Sequence, residues 1–326
     1  MSGIVPQKLQ KGDKIMVIAP SRGLKLIGQD CREISLERFH QWGLTVEFAK
    51  NTKDENWDRF GSWNIKDRAD DVMQAFSDKS VKAIFTVIGG FNSNQLITHL
   101  DYDIIRKNPK FICGFSDVTA LFNAIHAKTG MEVFYGPHFS SLGMKKGCEY
   151  TMDYLQKMLF SDEPVNIKAS AEWSDDAWYI DQEKRDFIEN DGYWLINYGT
   201  AEGTIIGGNL CTFNLLLGTE YRPEFKKDTI MFIEDDEASS AVDFDRNLQA
   251  LCYQPDFKNV KGLVIGRFQK ASKISREDLE FIIGSKSELQ NMPVVANVDF
   301  GHTTPIMTVP LGGKAKINGT EIVVSK

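Results

Sequence analysis

The chain has 326 residues, of which 42% are hydrophobic and 25% are charged, and this is the composition of a globular protein long enough for two domains. Its formal net charge of -7 argues against the basic face of a general nucleic-acid binder, and no apolar stretch approaches the length of a membrane span. The N-terminus lacks the apolar core of a signal peptide, and the five cysteines form no C-x-x-C pair. We therefore expect a cytoplasmic protein with neither nucleic acid nor a membrane as its partner.

The first half of the chain alternates strand patterns with helical patterns. Short apolar runs rich in branched residues predict buried strands, and apolar residues at helical spacing predict the helices between them. We predict strands over 14–20, 44–48, 81–88 and 111–115, and helices over 28–42, 64–77 and 93–100. This alternation predicts a parallel sheet with right-handed crossovers, whose chemistry lies at the carboxyl ends of the strands.

The pattern changes at residue 161. Residues 161–192 hold many charges, two tryptophans and little periodicity, which predicts a functional loop rather than a passive linker. Beyond it, we predict a periodic segment over 204–217, strands over 229–233, 261–267 and 293–298, helices over 243–252 and 276–283, and a hairpin over 314–324. The prediction is an α/β protein with three parts: an N-terminal flavodoxin-like parallel sheet domain (1–160), a linker and substrate-covering loop (161–192), and a smaller C-terminal mixed β/α domain (193–326).

A serine stands at a sharp corner between a predicted strand and a predicted helix. The strand-like run ends at Gly114, Ser116 follows two residues later, and a helical pattern begins at once. Such a corner projects the hydroxyl out of the backbone, and the helix N-terminus behind it supplies free N–H groups, as a nucleophilic serine requires. Val118 stands where G-x-S-x-G would have its second glycine. The alternative is that Ser116 only caps the helix, with Asp117 in the first turn.

A nucleophilic serine needs a base, and histidine is the usual one. Three of the five histidines fall within helical patterns, which is typical of packed or solvated helix residues: His40, His99 and His126. His138 lies in a loop after a strand-like run and is a weaker candidate. We rank His302 first, because Gly301 and Pro305 constrain its loop and can hold the imidazole in one orientation.

The base in turn needs a carboxylate that orients it. Residues 230–237 read Ile-Met-Phe-Ile-Glu-Asp-Asp-Glu, so Glu234 is the first polar residue after an apolar strand. We expect it half-buried at the rim of the sheet. The alternatives are a solvated acidic turn and a divalent-cation site, since hard cations bind clustered carboxylates. We predict no metal, because neither EF-hand spacing nor a second acidic cluster with a histidine is present.

An oxyanion hole needs two N–H groups aimed at one point. The amide of Asp117 directly follows the serine, and Gly90 ends the neighbouring strand pattern, where a glycine lets the backbone approach a ligand closely. We predict these two amides as the donors. The alternative, a phosphate-binding turn over residues 89–92, lacks both G-x-G-x-x-G and the P-loop lysine.

These motifs together resemble the LD-carboxypeptidase family of serine peptidases, over essentially the whole chain. Within that family the chain is most similar to the branch of microcin C self-immunity peptidases. The carriers of the resemblance are Gly12-Asp13-Lys14-Ile15, Ala19-Pro20-Ser21, Gly89-Gly90-Phe91-Asn92-Ser93-Asn94-Gln95-Leu96, Leu100-Asp101-Tyr102, Pro109-Lys110, Gly114-Phe115-Ser116-Asp117-Val118-Thr119, Tyr135-Gly136-Pro137, Gly207-Gly208-Asn209-Leu210, Phe232-Ile233-Glu234-Asp235 and Gly301-His302-Thr303.

The resemblance implies a catalytic triad whose serine lies in the first domain and whose acid and base lie in the second: Ser116, Glu234 and His302. It also implies a homodimeric cytoplasmic enzyme without a metal or other cofactor, and substrate contacts from Asn92 and Asn209.

The assignment to the branch rests on two features. Ile88 precedes the paired glycines, where peptidoglycan-recycling members typically carry arginine, and residues 173–178 read Trp-Ser-Asp-Asp-Ala-Trp. The immunity peptidases use an aromatic residue of such a loop to stack on the adenine of their substrate. The resemblance therefore implies a stacking role for Trp178 or for Trp173, and the alternative is that both only pack within the loop.

We interpret the chain as a serine hydrolase that cleaves the amide bond of a small aminoacyl- or peptidyl-nucleotide conjugate, an activity that would confer microcin immunity. One alternative is an LD-carboxypeptidase that acts on cytoplasmic muropeptides in peptidoglycan recycling. An alternative of another class is a non-catalytic nucleotide-binding protein on the same scaffold. The intact set of Ser116, Glu234 and His302 argues against this last alternative.

Overall fold

A computed structural model describes residues 3–53 and 58–326, and its first layer is a six-stranded sheet. The elements of this half are β1 (Lys14–Ile18), α1 (Gln29–Gln41), β2 (Thr45–Phe48), α2 (Ile65–Ser77), β3 (Val81–Thr86), α3 (Tyr102–Lys107), β4 (Phe111–Gly114), α4 (Thr119–Thr129), β5 (Val133–Tyr135) and α5 (Glu149–Phe160). Strands β2-β1-β3-β4-β5 pair in parallel in that order, which is the flavodoxin-like order. The predicted parallel α/β sheet is confirmed.

Most strands of the second half form an eight-stranded mixed sheet. The elements of this half are β6 (Val165–Ile167), β7 (Glu172–Trp173), β8 (Ile188–Glu189), β9 (Trp194–Asn197), β10 (Thr200–Asn209), α6 (Leu210–Asn214), β11 (Thr229–Glu234), α7 (Ala241–Cys252), β12 (Val260–Gly266), α8 (Arg276–Gly284), β13 (Val294–Val298), β14 (Val309–Leu311), β15 (Lys314–Asn318) and β16 (Glu321–Ser325). The strand order of the eight-stranded sheet is β6-β16-β15-β10-β11-β12-β13-β9. Strands β7 and β8 pair with each other in a separate two-stranded sheet. Strands β10-β11-β12-β13 are parallel, and antiparallel strands flank them on both sides.

One strand connects the halves in a way that the sequence did not indicate. The late strand β14 pairs antiparallel with β5 in the first sheet. Strand β6 pairs with β16 and forms one edge of the second sheet. The predicted domain limits stay a prediction. The predicted helix over 93–100 was wrong in type, because Ser93–His99 forms a 3-10 helix instead.

The second sheet contributes one face to each of two hydrophobic cores. Along β11, Ile230 and Phe232 belong to the core shared with the first domain, whereas Met231 and Ile233 belong to the core beneath α7 and α8. Because side chains alternate along a strand, Glu234 points to the same side as Phe232, toward the first domain. Among the described residues, no helix is long and apolar enough to span a membrane.

Candidate active site

Ser116 occupies a left-handed backbone conformation at the carboxyl end of β4. Its φ is 65°, while the preceding Phe115 is extended, so the chain turns sharply between the strand and the 3-10 turn Ser116–Val118. Helix α4 begins only at Thr119, and its N-cap, Val118, makes no side-chain capping bond. The alternative in which Ser116 merely caps the helix is therefore wrong, and its hydroxyl remains available for other contacts.

The hydroxyl of Ser116 is in hydrogen-bond contact with His302, and His302 is in contact with Glu234. The Ser116 Oγ lies 2.9 Å from His302 Nε2, and the His302 Nδ1 lies 2.7 Å from Glu234 Oε2. A carboxylate only accepts hydrogen bonds, so Nδ1 carries the imidazole proton and Nε2 is free to accept the Ser116 proton. Burial lowers the pKa of His302, but the charge of Glu234 and its hydrogen bond more than offset this and raise it above the ordinary value.

Glu234 is completely buried, which corrects the expectation of a half-buried carboxylate. Its side chain has no solvent exposure, whereas that of His302 is 16% exposed. Two glycines make room for it: a Cβ on Gly266 would stand 2.7 Å from the Glu234 Cβ, and a Cβ on Gly301 would collide with the carboxylate. The glycine before His302 therefore serves close packing on Glu234 as well as the turn.

A fourth residue, Tyr135, completes the hydrogen-bonded group. Its hydroxyl donates to Glu234 Oε1 at 2.6 Å and accepts from the Ser116 N–H at 3.0 Å. The sequence analysis noted Tyr135 only as part of the family resemblance and gave it no role. The sequence did contain an indication of this role. Tyr135 ends a buried strand that pairs with β4, so its hydroxyl reaches the same sheet edge as Ser116.

The Gly89-Gly90 segment lies against the Ser116 hydroxyl. A Cβ on Gly89 would stand 3.0 Å from Ser116 Oγ, so only glycine leaves this face of the serine open. The buried carboxylate of Asp117 fixes the segment, since Oδ2 accepts from the N–H groups of Asn92 (3.1 Å) and Ser93 (2.9 Å). The two segments from which the predicted oxyanion amides come are thus tied together.

The two predicted substrate-binding asparagines have their side chains engaged within the protein. Asn92 Oδ1 accepts from Ser62 Oγ at 2.8 Å and from Arg68 Nη1 at 3.1 Å. Asn209 caps α6 by accepting from the Thr212 N–H at 3.1 Å, and its amide group donates to Asp235 Oδ1 at 3.3 Å. Their contact with substrate stays a prediction.

Within the described part of the chain, none of the other histidines is hydrogen-bonded to Ser116. His138 is buried, its Nδ1 lies 2.6 Å from Thr86 Oγ1, and its ring lies 4.4 Å from that of Phe115. Burial, followed by the proximity of His302, lowers the pKa of His138 to about 3, so it stays neutral. His126 is held by the backbone, with Nδ1 2.9 Å from Met131 O.

The acidic cluster that follows Glu234 is engaged in local hydrogen bonds. Asp235 is buried and accepts from Ser239 Oγ at 2.6 Å, while burial raises the pKa of its carboxyl to about 6. Asp236 Oδ1 accepts from the Ala238 N–H at 2.9 Å. Across residues 3–53 and 58–326, no group of three or more His, Cys, Asp or Glu side chains is arranged to hold a metal ion.

The two candidate stacking tryptophans lie in different cavities. Trp178 lines a cavity of about 370 Å³ together with Ile88, which directly precedes the paired glycines. Trp173 lines another cavity of about 360 Å³, where the Arg267 guanidinium lies 5.2 Å from its ring centre. Trp178 is therefore the tryptophan whose cavity adjoins the glycine segment next to Ser116.

Two family models match this chain in consecutive segments. Residues 15–136 match the LD-carboxypeptidase N-terminal domain, and residues 202–317 match the LD-carboxypeptidase C-terminal domain. The chain belongs to the LD-carboxypeptidase family. The resemblance inferred from the motifs is thereby confirmed, and the chain is a member of a peptidase family.

Individual relatives cover nearly the whole chain. A Treponema pallidum protein with an inferred carboxypeptidase activity is 52% identical over 95% of this chain and 91% of its own length. The microcin C self-immunity protein MccF of Escherichia coli is 32% identical over 80% of this chain and 78% of its own length. The crystal structure of an MccF-like protein from Bacillus anthracis superposes with a TM-score of 0.96 at 49% identity, covering 99% of this chain and 100% of that one.

Proposed function

We propose that this LD-carboxypeptidase family member is a serine hydrolase that uses Ser116 as nucleophile, His302 as base and Glu234 as orienting acid. The observation that carries the proposal is the unbroken hydrogen-bonded chain from Ser116 Oγ to His302 Nε2 (2.9 Å) and from His302 Nδ1 to Glu234 Oε2 (2.7 Å). Ser116 attacks the amide carbonyl while His302 takes its proton, and the buried Glu234 stabilises the imidazolium. His302 then protonates the leaving nitrogen, and water attacks the acyl-enzyme with His302 again as base.

The negative charge that develops on the carbonyl oxygen is received by backbone N–H groups of Gly90 and Asp117. The Gly90 N–H has no acceptor among the described residues, and the hydrogen bonds that the Asp117 carboxylate accepts from the Asn92 and Ser93 N–H groups hold the glycine segment close to Ser116. Donors fixed in advance stabilise the oxyanion without reorganising during the reaction.

For the substrate, we propose an amide-linked aminoacyl- or peptidyl-nucleotide conjugate. MccF, a relative with 29% identity and a TM-score of 0.88, has been solved in complex with aspartyl sulfamoyl adenosine, and a second MccF complex contains glutamyl sulfamoyl guanosine. The cavity lined by Trp178 offers an aromatic face beside Ile88, and aromatic faces bind nucleobases by stacking. The biological role that follows is detoxification of microcin C-like compounds, and the predicted homodimer and cytoplasmic location belong to the same proposal.

A second candidate is cleavage of muropeptides, because a family relative in Bacillus subtilis is named as a murein peptide carboxypeptidase and is 29% identical over 97% of this chain. The two candidates share the Ser116 chemistry and differ in what binds beside it. Ile88 and Trp178 give this chain an apolar and aromatic cavity wall, which favours a nucleobase over a sugar-linked peptide.

The purified full-length protein should therefore cleave aspartyl sulfamoyl adenosine to aspartate and the free sulfamoyl nucleoside. A muropeptide tetrapeptide incubated in parallel should be cleaved far more slowly, and both reactions can be followed by mass spectrometry. Rapid release of the terminal D-residue from the muropeptide, with no turnover of the nucleotide conjugate, would assign the protein to cell-wall recycling. Turnover of neither compound, with no reaction of Ser116 toward a fluorophosphonate, would support a non-catalytic protein.

Changing Trp178 to alanine should raise KM for the nucleotide conjugate by about 5- to 150-fold, the range expected for losing one base-stacking contact. The kcat should change little, because Trp178 is not among the hydrogen-bond partners of Ser116 or His302. Trp173→Ala is the matched control, since it removes the same ring from the other cavity. An equal loss for Trp178→Ala on a conjugate that lacks the base would mean that Trp178 only supports the loop.

A further inference from the structure

The hydroxyl of Tyr135 joins the two catalytic elements that come from different halves of the chain. Its oxygen lies 3.0 Å from the Ser116 backbone nitrogen and 2.6 Å from Glu234 Oε1. With the contacts of His302, this closes a ring that runs from the Ser116 backbone through Tyr135, Glu234 and His302 to the Ser116 hydroxyl. Nothing in the reaction proposed above assigns a role to Tyr135.

The hydrogen bond between the Tyr135 hydroxyl and the Ser116 N–H helps to hold the left-handed backbone conformation of Ser116. A residue with a Cβ at a φ of 65° lies in a strained region of backbone conformation, and it persists only where its surroundings hold it. Its N–H donates to Tyr135 rather than to a carbonyl of the turn. Because this N–H is occupied, Ser116 cannot offer it to the oxyanion, which leaves that task to Gly90 and Asp117.

The hydrogen bond from the Tyr135 hydroxyl to Glu234 affects the negative charge that Glu234 presents to His302. Both carboxylate oxygens are used, Oε1 by Tyr135 and Oε2 by His302, and the carboxylate has no exposure to water. Burial, followed by the charge of Glu234, raises the pKa of Tyr135 well above its ordinary value, so the hydroxyl remains protonated and donates at every working pH. The negative charge of Glu234 is therefore divided between two hydrogen bonds, one from the Tyr135 hydroxyl and one from the His302 imidazole.

We propose that Tyr135 is a positioning residue, which holds Ser116 in its left-handed conformation and at the same time sets how strongly Glu234 attracts the His302 proton. The proposal deepens the serine-hydrolase function and rests on it. Tyr135 touches neither the substrate nor the reacting oxygen; it acts through the backbone of one catalytic residue and the side chain of another.

The test is Tyr135→Phe in the full-length protein, which keeps the ring and removes only the hydroxyl. Tyr154→Phe is a matched control, because the Tyr154 hydroxyl also accepts from a backbone N–H (Lys168, 2.9 Å) and donates to an oxygen (Asn166 O, 3.1 Å) in a buried setting outside the site. The readout is the rate at which a fluorophosphonate labels Ser116 as a function of pH. This readout is independent of the natural substrate, so it separates failure of the positioning role from failure of the substrate assignment.

Tyr135→Phe should label about 10- to 100-fold more slowly than the wild-type protein, the range for losing one hydrogen bond to a charged group, while Tyr154→Phe labels normally. Without the competing donor, Glu234 attracts the His302 proton more strongly, so the pH midpoint of labelling should move upward. On a cleavable substrate, kcat should fall and KM should stay unchanged. Labelling at the wild-type rate with an unmoved midpoint overturns the proposal.

A second variant covers the case in which Tyr135→Phe does not fold. Difluorotyrosine placed at position 135 alone retains the ring and its hydroxyl but makes the hydroxyl a stronger donor. The pH midpoint of labelling should then move downward, opposite to the effect of phenylalanine, because Glu234 attracts the imidazole proton less. An unchanged midpoint in this variant overturns the proposal.

Discussion

Replacing Ser116 with alanine should leave a folded protein that has lost amide hydrolysis by roughly 10⁴- to 10⁶-fold, as removal of a nucleophile from a triad does in other serine hydrolases. The change deletes one oxygen whose partner is His302 at 2.9 Å, and no other group in residues 3–53 and 58–326 is hydrogen-bonded to that oxygen. The loss should appear in kcat, and labelling by a fluorophosphonate should disappear with it. Circular dichroism and the melting temperature should stay close to those of the wild-type protein.

A matched control for this change is Ser161→Ala, which removes a hydroxyl at the end of α5, far along the chain from the site. This hydroxyl accepts a hydrogen bond from the Glu163 N–H. It should retain full activity. If Ser116→Ala kept near-wild-type turnover while labelling persisted, another nucleophile would carry the reaction and the proposed mechanism would be wrong.

Replacing Glu234 with glutamine should lower kcat by about 10⁴-fold, the effect of the equivalent acid-to-amide change in a Ser-His-Asp triad. Glutamine keeps the size and can still accept from the Tyr135 hydroxyl. Its NH₂ group, turned toward His302, would require the imidazole Nδ1 to be the acceptor. The proton then resides on Nε2, where it blocks acceptance of the Ser116 proton, so the enzyme holds the wrong tautomer of an otherwise intact site.

Glu237→Gln is the matched control, because Glu237 is an exposed acid of the same turn and only its backbone N–H is bonded, to Gln269 Oε1. It should be fully active. The competing possibility is that the neighbouring Asp235 orients the base. In that case Asp235→Asn would abolish turnover and Glu234→Gln would retain it. The distance of 2.7 Å between Glu234 Oε2 and His302 Nδ1 instead supports Glu234 as the orienting acid.

Much of the architecture followed from the sequence, because most of the parallel strands are short apolar runs with a helix after them. The first sheet and its strand positions illustrate this, and Ser116 lies at the corner where the strand pattern ended. The 3-10 helix over Ser93–His99 was taken for an ordinary helix, since apolar spacing over seven residues does not distinguish the two. The Asp117 carboxylate, from another part of the chain, accepts hydrogen bonds from the Asn92 and Ser93 N–H groups where this segment begins.

The parts of the site that the sequence did not supply depend on contacts between distant segments. Full burial of Glu234 results from Gly266 and Gly301, which are separated from it by 32 and 67 positions and pack on its side chain. The position of Tyr135 at a strand end indicates which sheet edge it reaches, but the linear pattern does not indicate which two groups its hydroxyl contacts. Only the meeting of the two sheets brings its hydroxyl between Ser116 and Glu234.

The pairing of β14 with β5 has a consequence for the newly made protein. The strand that completes the edge beside Tyr135 comes from residues 309–311, and Glu234 and His302, the other two members of the proposed triad, also come late in the chain. During synthesis, which proceeds from the N-terminus, the nucleophile therefore leaves the ribosome without its base, and the first sheet without its last strand. Under the proposed mechanism, a chain that is interrupted before residue 302 carries the serine without its base, so we expect hydrolytic activity only once translation is nearly complete.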